Sequence, residues 1–121
     1  MKVIFSQEGA KNEILNVLFF NHTGNILSVK YFDGSNEKFS NANHILEISD
    51  ENGKMSVWYY IKDCNGNIGT SNTVSFVKYD IDSNMLAINY ANGEIETTKN
   101  LDYISNAYDS KFKSKDHEIL L

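Results

Sequence analysis

The chain contains no arginine and no proline, and one cysteine among 121 residues. Each absence excludes something. All 11 cations are lysines, set against 16 acidic residues, for a net charge of -5 and a pI of about 5.1. Nucleic-acid binding needs clustered cations, and arginine above all for its bidentate fork, so no nucleic-acid partner is expected. A lone Cys64 can form neither an internal disulfide nor a zinc site with a second thiolate. Its surroundings, Asp63-Cys64-Asn65-Gly66-Asn67, read as a turn, with no adjacent His or Lys to activate the thiol. Long apolar runs are also missing. The longest clusters are Val17 to Phe20 and Val57 to Ile61, too short to span a membrane. The first residues, MKVIFSQEGAKN, lack the apolar stretch and cleavage site of a secretory signal. The expectation is synthesis in the cytoplasm without export, and no membrane partner.

What the chain has in excess is asparagine, sixteen residues of it. Asn and Lys codons are AT-rich, whereas Arg and Pro codons are mostly GC-rich. The composition therefore points to an AT-rich genome, that of a low-GC bacterium or one of its phages. Length and an apolar share of 41% fit one domain with one core.

Period-two alternation dominates the pattern. Turn signals interrupt it at His22-Thr23-Gly24-Asn25, Asp33-Gly34, Asn52-Gly53, Asn65-Gly66-Asn67 and Asn92-Gly93. Asn-Gly and Asp-Gly accept the positive φ of tight hairpins. Strands are predicted at 2–6, 13–21, 25–32, 36–40, 44–49, 54–62, 73–79, 84–90 and 94–99. Residues 7–18 fit a helix or a strand. Residues 101–112 place Leu101, Ile104, Tyr108 and Phe112 on one helical face behind a possible Asn100 cap, which predicts a short helix. Residues 25–37 echo 84–96 at an offset of 59, with identities at Asn25, Leu27, Tyr31, Gly34 and Glu37. Shared turn chemistry explains two such hairpins more economically than duplication does.

Residues 53–79 run from Gly53 through an alternating strand to the turn Asp63-x-x-Gly66-Asn67, then a polar loop and a strand with Val74, Phe76 and Lys78. This stretch resembles the last hairpin of bacterial immunoglobulin-like domains, and residues 26–50 fit the middle strands of such a domain loosely. The resemblance implies an all-β fold. It would be an immunoglobulin-like antiparallel β-sandwich over residues 1–79, with an added C-terminal hairpin and short helix over 80–121 packed on the same compact unit. Within 54–62, Met55, Val57, Tyr59 and Ile61 share the core face, and Trp58 and Tyr60 stand on the other. Two large aromatics on an outer face are either covered by residues 80–121 or form a binding platform.

Catalytic and metal signatures are incomplete. Asp80-x-Asp82-x-Asn84 opens like a calcium loop, but Met85 stands where glycine is required and Ala91 where a bidentate Glu is required. His22, His44 and His117 are too scattered for a zinc site. No metal, cofactor or catalytic residue is expected, and an enzyme is the least favoured reading. The expected function is a non-catalytic structural or adhesive module, a phage virion accessory protein contacting a protein partner or a surface glycan, with a homo-oligomer compatible with that role. Its contact residues would be Trp58, Tyr60, Asp63, Asn65 and Asn67. The alternative is a small intracellular inhibitor or sequestering protein.

Overall fold

Alternation of apolar and polar residues along an extended chain puts every second side chain on one face, and here the buried residues follow that rule. Val3 and Phe5, Met55, Val57 and Tyr59, and Leu86, Ile88 and Tyr90 are buried in alternation with more exposed neighbours. In the computed structural model, which describes residues 1–50, 52–64, 66–70 and 72–113, the protein is all-β and antiparallel, with no helix among the described residues. The strands are β1 (Lys2–Gln7), β2 (Ala10–Ile14), β3 (Val17–Thr23), β4 (Ile26–Tyr31), β5 (Asn36–Phe39), β6 (Ala42–Ser49), β7 (Met55–Ile61), β8 (Asn67–Gly69), β9 (Val74–Asp80), β10 (Met85–Tyr90), β11 (Ile95–Lys99) and β12 (Leu101–Asp109).

Three elements differ from the sequence expectation. The strand expected over 13–21 is broken at Asn16, which adopts a φ of 60° and accepts a hydrogen bond from the Phe32 amide at 2.9 Å. β8 lies in what reads as a polar loop. The helix expected over 101–112 is instead strand β12, followed by a turn at Ser110 and Lys111. Its pairing with β7 slips between Leu101 and Tyr103 and again between Ile104 and Asn106. Each bulge inserts one residue and shifts the in-out alternation. Leu101 and Ile104 are thereby both buried at a spacing of three, which mimics a helical stripe.

The strands form one hydrogen-bonded sheet in the order β2-β1-β6-β9-β7-β12-β3-β4-β5, with β10 and β11 extending from β9 and β8 from β7. The β9–β7 link is a single residue pair, Val74 with Met55. On either side of it lie two six-stranded runs, β2-β1-β6-β9-β10-β11 and β8-β7-β12-β3-β4-β5. They share one apolar core: Phe5 of the first run meets Phe39 of the second with ring centroids 5.0 Å apart.

The echo between residues 25–37 and 84–96 is not confined to two similar turns. Tyr31 donates to Glu37 at 2.6 Å, and Tyr90 donates to Glu96 at 2.8 Å. Gly34 and Gly93 take φ values of 89° and 92°, and Asn25 and Asn84 take 62° and 53°. The correspondence continues into the following strands. Asn41 and Asn100 share a left-handed φ, 58° and 60°, just before β6 and β12. Strands β7 to β12 thus repeat β1 to β6.

Candidate functional site

β7 carries Trp58 outward because Val57 and Tyr59 point into the core. The indole lies against β8, where Trp58 pairs with Gly69. A Cβ on Gly69 would stand 2.4 Å from the ring, so only glycine lets the indole rest there. Trp58 keeps 38% of its surface exposed. Its open side borders a groove of about 740 Å³, whose walls include Thr70, Asn72, Thr73, Tyr108 and Phe112. Tyr108 and Phe112 are held by Phe19, with three centroid distances of 4.8 to 4.9 Å.

The floor of this groove continues past Asp109, Ser110 and Lys54 into a second groove of about 740 Å³. Met1, Leu15, Asn16, Phe32 and Asp50 border that second groove. Asp50 and Asp109 meet where the two join, with only 9% and 7% of their surfaces exposed. Each closes an Asx turn: Asp50 Oδ1 accepts the Asn52 amide and Asp109 Oδ1 accepts the Lys111 amide, both at 2.9 Å. Asp50 Oδ2 has no donor while both carboxyls are ionised. A proton on Asp109 would supply one. Burial, then the hydrogen bond to Asp50, push Asp109 above the usual carboxylate range. Burial also acts upward on Asp50, but the bond from Asp109 and the Asn52 amide outweigh it and hold Asp50 low. The contact thus drives the two carboxyls apart, Asp109 upward and Asp50 downward.

The structure brings together only some of the residues expected at the site. Trp58 forms a groove wall. Tyr60 is half-buried and packs in a tilted pair with Tyr103 of β12, ring centroids 4.6 Å apart, so the C-terminal strand covers it while leaving Trp58 open. Asp63 is exposed in the turn after β7, on no groove wall among those described. Asn67 is tied to β12, accepting from Ser105 Oγ at 3.0 Å. Asn65 lies outside the described residues. His22 does not sit in an exposed turn: it is 3% exposed at the end of β3, with Nε2 2.6 Å from the Ala42 carbonyl oxygen. Sequence reasoning missed Asp50 and Asp109. The signal was present, because extending the offset of 59 beyond residue 37 aligns Asp50 with Asp109.

Among the described residues, no group of three or more His, Cys, Asp or Glu side chains is placed to hold a metal ion. At the Asp80 loop, Asp80 caps the Asp82 amide and Asn84 accepts from Tyr79, which is turn chemistry. No helix among the described residues is long and apolar enough to cross a membrane. No family model, curated protein or solved structure matches the chain.

Proposed function

We propose that the protein is a non-catalytic binding module that takes a surface glycan in the groove beside Trp58. The observation that carries this reading is the half-open indole: one side lies on Gly69 and the other borders a concave, polar-rimmed groove. A sugar ring offers an apolar C–H face to an aromatic ring. Its hydroxyls suit a rim of Thr70, Asn72 and Thr73. The Asp50–Asp109 contact argues against glycosidase chemistry, since paired catalytic carboxyls stand roughly 5 Å or more apart to flank a scissile bond.

The setting we propose is an adhesive or structural accessory of a phage virion, which rests on the AT-rich composition. An immunoglobulin-like sandwich is the finer fold reading. Two six-stranded runs over one core favour the sandwich. The immunoglobulin-like likeness rests on the sequence of residues 53–79. A second reading, an intracellular protein that sequesters a small ligand, is favoured by the concave shape of both grooves.

Trp58 is the sole tryptophan, so its fluorescence reports the groove directly. The test is a screen of an immobilised glycan panel, followed by fluorescence titration with each glycan retained. Binding should shift the emission, and Trp58→Ala should abolish it with only a small loss of thermal stability. An unfolded Trp58→Ala variant, or a panel with no retained glycan, refutes the reading.

A further inference from the structure

The two halves of the chain correspond strand by strand, and the correspondence reaches details that turn chemistry does not dictate. Exchanging each of β1–β6 with the strand six further on turns β2-β1-β6-β9-β10-β11 into β8-β7-β12-β3-β4-β5, which is the order of the other run. The irregularities repeat as well. β6 pairs with β1 through bulges that skip Asn43 and Leu46. β12 pairs with β7 through bulges that skip Asp102 and Ser105, each 59 residues further on. β3 skips Leu18 against β4, and β9 skips Ser75 against β10. Bulges are specific features of a strand pair, so three coincidences of this kind mark one unit used twice.

The halves are also intertwined. Each run takes three strands from each half. The seams are β6 on β9, where Ile48 faces Val77, and β12 on β3, where Ala107 faces Phe20. These are the same contact made twice, which is the signature of an isologous interface about a two-fold axis. At such an axis a residue meets its own counterpart. Asp50 and Asp109, 59 residues apart, do this, their carboxyls in contact on the wall of one groove. One core cluster draws on both halves, from Val3 and Phe20 to Val77 and Ile104. A half of this length has little surface to bury by itself.

We infer that residues 1–53 and 54–113 are two copies of one binding unit, that the partner each unit's exposed seam fits is a second copy of that unit, and that the chain is a homodimer fused end to end. The inference does not depend on the glycan reading. The peptide bond between Gly53 and Lys54 then serves only to tether, and the association of the halves does not require it.

The test is made on the full chain with a protease recognition sequence inserted between Gly53 and Lys54. After cutting, light scattering should give the mass of both halves together, and Trp58 emission should be unchanged. The unfolding midpoint should rise with protein concentration in the cut chain and stay constant in the uncut one. Halves that part under native conditions, or one half that stays folded alone, overturn the inference. A permuted chain guards against a harmful insertion. It runs from Lys54 to Leu121, through an added Gly-Ser linker, and then from Met1 to Gly53, since Met1 and Lys111 border the same groove. It should fold to the same far-ultraviolet spectrum and Trp58 emission as the natural order. A permuted chain that does not fold overturns the inference independently.

Discussion

Gly69→Ala is the sharpest probe of how the groove is built. Gly69 pairs with Trp58 across β7 and β8, and its φ is not in the left-handed region, so alanine suits the backbone. The added Cβ would sit 2.4 Å from two indole carbons and 2.6 Å from a third. Ordinary carbon contacts are about 3.5–4.0 Å, so the indole must withdraw by more than an ångström or rotate away from β8. A tryptophan buries roughly 150–250 Å² when packed, and losing about 80 Å² of that cover costs about 2 kcal/mol at roughly 25 cal/mol per Å². Replacing glycine in a strand returns about 0.5–1 kcal/mol by restricting the unfolded chain. The net expectation is a loss of about 1 kcal/mol, or a midpoint lower by roughly 3–5 °C in a domain of this size. The assay is thermal unfolding by circular dichroism with acrylamide quenching of Trp58 on the same sample. Emission should move to the red and quenching should strengthen. An unchanged spectrum with an unchanged or higher midpoint would show that the indole does not rest on Gly69, and the groove wall as described would be wrong.

Asp109 is held above its unfolded value, so its contribution favours the folded state below the unfolded pKa of about 3.9 and is lost as pH rises through the folded one. Ionising Asp109 therefore costs stability as the pH rises. Asp109→Asn keeps an acceptor for the Lys111 amide and supplies a donor to Asp50. Its midpoint should exceed that of the parent at pH 7.5, with the gap closing towards pH 4.5; a lower midpoint at both pH values would refute the upward shift of Asp109. Tyr31→Phe and Tyr90→Phe each remove one tyrosine–glutamate bond from equivalent hairpins, so each should cost about 0.5–1.5 kcal/mol in urea unfolding. The double variant should lose the sum of the two. A large loss at one position with none at the other would contradict their equivalence.

The hairpins were legible because their signals are local. Asp33-Gly34 and Asn92-Gly93 make turns with glycine at positive φ, and the strands beside them alternate as expected. Trp58 and Tyr60 could be placed on the outer face of β7 by counting back from the core residues. β12 was not legible, since its two bulges turn an alternating strand into a pattern with helical spacing. Bulges are set by the partner strand, and a single strand's sequence does not display its partner. The different fates of Trp58 and Tyr60 were hidden for the same reason: Tyr103 arrives from 43 residues away to cover one, and Gly69 makes room beside the other.

By itself the sequence determined the all-β class, most strand positions, the turn chemistry and the absence of any disulfide framework, because each depends on residues close together in the chain. The tertiary structure decided the rest: the pairing of each half's strands with those of the other, the groove at Trp58, and the meeting of Asp50 with Asp109. Those depend on long-range strand pairing, where hydrogen-bond register and bulges, not local pattern, fix which side chains face one another.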